Sequence, residues 1–254
     1  TYIAAIKPRL AIITDIRRGN LQLHLLYKAV FETTDNRADF IGRLFSRTPP
    51  DALGTAMTAE ALMTAYQSAK PVNEDAFKAN LAALVAYLTK TRKLPLDADD
   101  VAGIEYVYRN FYAFGPDITY SSTINGRSGG QGSYARIMAV VDQALGSERS
   151  YLASEQNFKV IKALEEKNLI VPIVGDFAGP KALRAVAAYL KEHGATVSAF
   201  YVSNVEDYLQ RNNVMSQFCA NVAAMPLDAA SVFIRPGRRA GYLSSIAAET
   251  AGCK

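Results

Sequence analysis

The chain has 254 residues, half of them hydrophobic and a fifth charged, with a net charge of +4. That length and balance suit a folded protein with a sizeable core. Lys and Arg are scattered, "RPGRR" (235–239) being the densest run, so no nucleic-acid partner is expected; without an apolar run of about 18 residues, no membrane-spanning helix is expected either.

In chain order, residues 2–6 read as the end of a helix and "RLAIITDI" (9–16) as a buried strand. "LQLHLLYKAVFE" (21–32) and "NRADFIGRLFS" (36–46) follow as helices, with Asn36 placed to cap the second. Three further helical patterns lie within 58–112, each opened by a capping residue. Segment 48–114 therefore reads as a helical insertion or side layer. Residues 115–133 are a Gly/Ser-rich loop, long enough to serve as a flap. The pattern 134–145 fits helix or strand equally well.

The last third alternates regularly. "SYLAS" (150–154) reads as a strand, 155–168 as a helix, "LIVPIVGDF" (169–177) as a strand and 179–194 as a helix stopped by Gly194. A strand at 195–204, two helices and a strand at 231–236 complete it. Such alternation predicts one α/β domain over 1–254, with a Rossmann-like, mostly parallel sheet and helices on both faces. The chain starts at Thr1 close to a strand, which suggests an upstream segment that would complete the fold.

Ligands of open parallel sheets bind beyond the carboxyl ends of the strands. The residues there are Asp15, Asp176 and the pair Ser203-Asn204. "AIITDI" (11–16) also aligns with "PIVGDF" (172–177), superposing the two aspartates, as a duplicated unit or one βα pattern used twice. Beside Asp15, Arg17 and Arg18 offer planar forks for a carboxylate or phosphate, and Asn20 shares a helix face with His24. Beside Asp176, Gly175 and Gly179 allow close approach to a helix N-terminus, and Lys181 reaches toward an anion. Each feature has a structural alternative: Asp15 and Asn204 as caps, the glycines as a turn.

Neither GxxxxGK[ST] nor GxGxxG occurs. Ser203 lacks a GxSxG elbow, and the two histidines, His24 and His193, stand apart, so no Ser-His-Asp triad and no zinc site is expected. Cys219 and Cys253 permit one disulfide, though their spacing does not demand it. The compartment and oligomeric state stay open between a cytoplasmic and a processed periplasmic or secreted protein.

"IAAIKPRLAIITDIRR" resembles the second-strand segment of class I SAM-dependent methyltransferases. That resemblance implies a Rossmann fold, S-adenosylmethionine as cofactor and Asp15 as its ribose-binding acid. It covers under half of the chain, and the family's Gly-rich first-strand motif is not present. The whole sequence is also similar to uncharacterised bacterial proteins. The expected function is thus methyl transfer to a small molecule. The alternatives are a non-catalytic Rossmann-like binding or scaffold protein, or a phosphate- or carboxylate-handling enzyme in which Asp15 and Asp176 share Mg²⁺.

Overall fold

The computed structural model describes residues 1–51, 53, 54, 56–123, 132–235 and 241–253. These form two compact units: Thr1–Ile13 with Gly19–Pro172, and Thr14–Arg18 with Ile173–Lys254. Each is taken by itself below.

The first unit is mainly helical. It holds α1 (Tyr2–Ile6), α2 (Arg18–Glu32, from its second residue on), α3 (Arg37–Phe45), α4 (Ala59–Gln67), α5 (Glu74–Ala86) and α6 (Ala98–Phe114), then α7 (Tyr134–Met138) and α8 (Glu155–Glu166). Four of the caps below are residues that the sequence marks, and Ser154, expected there to end a strand, is a fifth. Asn36, Thr58, Asn73, Asp97 and Ser154 each accept a backbone N–H of the first turn, at 2.8–3.1 Å. Such a bond satisfies one of the four donors a helix start leaves open, at about 1 kcal/mol each.

Apolar faces at helical spacing then close one core. Leu26, Phe40, Leu44, Tyr66, Phe77, Tyr108 and Phe158 are all completely buried. Phe31 lies 4.3 Å from Phe40 and 5.2 Å from Phe158, ring centroid to centroid. The helices within 48–114 supply Tyr66, Phe77 and Tyr108 to this same core.

One stretch departs from expectation, and a second combines the two readings open to it. Residues 150–154 are no strand: they form a turn that ends in the Ser154 cap. Leu152 is buried and its amide is 3.2 Å from Ser150 Oγ, so side-chain bonds replace a ladder that no neighbouring strand provides. Residues 134–145 divide between α7 and a hairpin of β2 (Val141–Asp142) and β3 (Ser147–Glu148), turned by Asp142 and the positive-φ Gly146.

A buried charge cluster joins α2, α8 and the π-helical turn Tyr87–Thr91. Lys28 Nζ lies 2.6 Å from Glu32 Oε1, donates to the Glu165 carbonyl at 2.6 Å, and is 3.9 Å from Glu165 Oε2. Arg92 and Tyr87 also donate to Glu32. Glu32 therefore keeps its charge and its pKa is lowered against the pull of burial by Arg92, Lys28 and Tyr87. Glu165 has only the looser contact, and burial raises its pKa to about 8. Between pH 4.5 and 8 the folded state thus holds a proton that the unfolded chain has released. Stability from this group is present below that window and falls as pH rises through it. Glu165→Gln is expected to flatten the decline, read by urea unfolding at pH 5, 6, 7 and 8. The same slope in the variant would assign the decline to other groups.

The second unit is mixed α/β. The strand β1 (Ala11–Asp15) and its neighbour β4 (Ile170–Val174) end here, followed by α9 (Ala182–Glu192), β5 (Ala199–Tyr201), α10 (Val205–Arg211), α11 (Met215–Ala223), β6 (Val232–Arg235), β7 (Tyr242–Ser245) and α12 (Ile246–Thr250). The bonds Ala11 N to Leu169 O and Gly175 N to Asp15 O advance the same way along both chains, so β1 and β4 are parallel. In the other sheet β5 pairs parallel with β6 and β6 antiparallel with β7, placing Phe200 beside Phe233 and Phe233 beside Ser244.

The α/β class expected from the sequence is thus present. The described strands, however, form three small sheets where the pattern led to one, and β7 runs antiparallel. "GYLSSIAAET" (241–250) hides β7, since its apolar spacing also suits a helix and only pairing with β6 extends its first half. Leu183, Ala187, Val202, Phe218, Val222, Phe233 and Ile246 fill the core of this unit. Cys219 on α11 is disulfide-bonded to Cys253, Cα atoms 5.5 Å apart.

Candidate functional site

The β1/β4 edge is built from two matching turns. Gly175 N donates to Asp15 O at 2.9 Å, so both strands leave the ladder at one level. Asp15 Oδ1 accepts the Arg17 amide at 2.7 Å, and Asp176 Oδ1 accepts the Ala178 amide at 2.9 Å. Both are aspartate turns closing on the amide two residues ahead. The alignment of "AIITDI" with "PIVGDF" therefore has a counterpart in backbone geometry. The paths then differ, since α2 starts three residues after Asp15 and α9 six residues after Asp176.

Gly175 is required sterically: a Cβ there would lie 2.1 Å from Ala182 Cβ. This lets the strand end touch the start of α9. Pro180 precedes that helix rather than joining its first turn, and Lys181 at the cap position makes no capping bond. No side-chain cap therefore serves the first amides of α9, which carry the positive end of the helix dipole. Arg17, Arg18 and Lys181 are exposed, as is Asp176, while Asp15 is half-buried. This edge thus carries three cationic and two carboxylate side chains.

One residue of this arrangement escaped the sequence reading. Asn221, on α11 and only 1% exposed, donates through Nδ2 to the carbonyls of Phe177 (3.0 Å) and Gly179 (2.9 Å). Its Oδ1 accepts Arg184 Nε at 2.8 Å. It pins the loop between β4 and α9. Its signal was a lone polar residue on the apolar face of Phe218 and Val222, at i+3 and i+4 spacing.

The remaining expected residues lie elsewhere. Ser203 and Asn204 follow β5 and so stand at the end of the other sheet. Asn204 precedes α10 without a capping bond, and Ser203 Oγ is 3.4 Å from Asn204 Oδ1. Asn20 and His24 sit on the part of α2 that belongs to the first unit, where the His24 ring meets Tyr27 edge-on at 6.0 Å. His193 ends α9, its Nδ1 2.8 Å from Tyr189 O and its ring stacked on Tyr189 at 4.1 Å. Among the described residues no group of three His, Cys, Asp or Glu side chains comes together as a metal site. No described helix is long and apolar enough to cross a membrane.

Of "RPGRR", Arg235 serves the fold. Its fork takes both oxygens of Glu206 at 2.7 and 2.9 Å, both of Glu249 at 2.7 and 3.1 Å and Ser244 Oγ at 2.7 Å, over the Phe233 ring. These carboxylates raise its pKa further. Residues 236–240, with the rest of that run, lie outside the described residues, as do 124–131 of the Gly/Ser loop.

Residues 127–250 match the model of a family described as a domain of unknown function (DUF7790). The match is just under half of the chain and includes Gly175, Asp176, Gly179, Lys181 and Asn221 but not Asp15, Arg17 or Arg18. No curated protein matches the chain.

Proposed function

We propose that the second unit is a Rossmann-like module that binds a small anionic ligand of the nucleotide class at the β1/β4 edge. One observation carries this reading: two adjacent parallel strands end together and one feeds, through a loop pinned by buried Asn221, a helix without a side-chain cap. The first amides of α9 and the Lys181 ammonium would take a phosphate. Gly175 lets the strand end close on Ala182 at the start of α9, and Arg17 and Arg18 add charge at the neighbouring turn. Asp15 would meet ribose hydroxyls. Ser203 and Asn204 fit this ligand only if the second sheet continues the first in Rossmann order.

S-adenosylmethionine belongs to the same ligand class through its ribose and carboxylate, and when bound it would supply an activated methyl group. The residues of the edge would then bind and orient it, methyl transfer drawing its rate from alignment rather than from an acid or base. Sparse acid–base groups at the edge favour binding of a nucleotide without catalysis as the first reading.

Calorimetric titration of the full chain with ATP, inorganic phosphate, S-adenosylmethionine and S-adenosylhomocysteine separates these. The module reading expects ATP to bind, and Lys181→Ala to weaken it about tenfold, the worth of one charge-assisted hydrogen bond. Binding of the two adenosyl compounds without ATP would favour the methyltransferase. Heat from none of them would overturn both.

A further inference from the structure

Helix α11 carries both Cys219 of the disulfide and Asn221, which pins the loop between β4 and α9. Its sequence, "MSQFCANVA" (215–223), contains no charged residue, and no side-chain cap serves its start. Among the described residues it is held by apolar packing, by the side-chain bonds of Asn221 and by the link from Cys219 to Cys253.

The β4–α9 loop is fixed by residues on either side of Cys219. Phe218 meets the Phe177 ring edge-on at 6.3 Å, and Asn221 Nδ2 donates to the carbonyls of Phe177 and Gly179 at 3.0 and 2.9 Å. Asn221 Oδ1 also accepts Arg184 Nε, in the first turn of α9, at 2.8 Å. At the other end of the link, Cys253 follows α12, its amide donating to the Thr250 carbonyl at 3.0 Å. α12 packs on α11 and is tied through Glu249 to Arg235 of β6. The closed disulfide thus braces α11 against β6, β7 and α12.

Apolar contacts are non-directional and tolerate a small slide or turn of a helix. The Asn221 bonds do not, because hydrogen bonds weaken steeply with angle. The disulfide restrains that movement covalently. Cys219 and Cys253 are only half-buried, within reach of a small reductant.

We propose that Cys219–Cys253 is a redox latch for the β4–α9 loop. Closed, it holds Asn221 in register with the Phe177 and Gly179 carbonyls. Open, it lets α11 shift, unpins the loop and weakens binding at the β1/β4 edge, a last step that rests on the nucleotide-binding reading of that edge. A dithiol opens the latch. One of its thiolates attacks a latch sulfur and expels the other as a thiolate, and its second thiol then resolves the mixed disulfide. Two electrons and two protons pass to Cys219 and Cys253, and the dithiol leaves as a disulfide. With the loop unpinned, the first amides of α9 and Lys181 lose their preorganisation, and binding must include the cost of ordering them.

The test compares the full chain oxidised and reduced with dithiothreitol, through two readouts. The first needs no ligand: NMR of the Asn221 side-chain amide and of the backbone amides of the 176–181 loop. Reduction is expected to shift these signals and to remove the exchange protection of the Asn221 Nδ2 protons. The second is calorimetry with ATP, whose affinity should fall about fivefold or more on reduction. By linkage, saturating ATP should move the thiol–disulfide equilibrium toward the disulfide by the same factor. Cys219→Ser without reductant should match the reduced chain, and dithiothreitol should change it no further; Cys253→Ser replaces it if circular dichroism shows that Cys219→Ser does not fold. Lys181→Ala should weaken ATP binding and leave the Asn221 signals in place. Unchanged Asn221 and loop signals on reduction would overturn the latch, whether or not ATP binds. So would lost protection throughout α9, which would make the disulfide a purely structural bond. Shifted signals with an unchanged ATP affinity would overturn its control of the edge. Shifted signals in a chain that binds no ATP in either state would support the latch and remove the nucleotide reading instead.

Discussion

Arg37→Ala is expected to lower the stability of the first unit by about 3–5 kcal/mol, a large part of the 5–15 kcal/mol that holds a typical domain folded. Arg37 is 1% exposed, the largest fully buried side chain among the described residues. Its Nε donates to Glu155 Oε1 at 2.9 Å and its Nη1 to the Leu152 carbonyl at 2.7 Å. The same carboxylate also lies 3.4 Å from the Arg37 amide. One planar fork therefore joins the start of α3 to the start of α8. Alanine would leave a cavity, an unpaired carbonyl and a carboxylate whose counter-ion is gone. Lysine would recover only part of the loss, because a single ammonium does not reproduce two divergent bonds. Urea unfolding of the three proteins at pH 7 measures this. A loss below about 1 kcal/mol for alanine would show that Glu155 and Leu152 find other partners.

Cys219→Ser, or reduction of the wild type, is expected to cost the second unit about 3–4 kcal/mol. The disulfide with Cys253 spans 34 residues, and closing a loop of that size removes chain entropy from the unfolded state by about that amount. The loop contains β6, β7 and α12, and α11 packs against α12. Opening it should release the C-terminal helix first. The Arg235 contacts to Glu206, Ser244 and Glu249 then remain to hold β6, β7 and α12 together. Hydrogen exchange with and without reductant reads this out as lost protection at 246–253 before any loss in α9. Equal protection in both states would remove the disulfide from the stability of this unit. Such a link persists in oxidising compartments and opens in reducing ones, so the same measurement tells in which surroundings the unit is fully stable.

Local chemistry was readable along the chain. Asn36, Thr58, Asn73 and Asp97 cap helices because a short polar side chain satisfies an amide three residues away, a bond that needs no distant partner. The turns at Asp15 and Asp176 are legible for the same reason, and so is the stop of α9 at Gly194, which adopts a φ of 58°. The core helices follow from apolar spacing, which is a property of one element at a time.

Contacts between distant residues were decided only by the tertiary structure. Arg37 and Glu155 are 118 positions apart, and nothing near Arg37 distinguishes it from an exposed helix arginine. Asn221 reads as a helix residue until the β4–α9 loop is brought to its amide. Residues 150–154 have the composition of a strand but no neighbour to pair with, whereas 242–245 become one because β6 lies alongside. A strand needs a partner and a buried charge needs a counter-ion, and both come from chain folded back across tens of residues. Composition, caps and periodicity therefore determined an α/β protein with two aspartate turns at strand ends. Long-range pairing decided how many sheets the strands make and which buried polar groups, like Arg37 and Asn221, are satisfied.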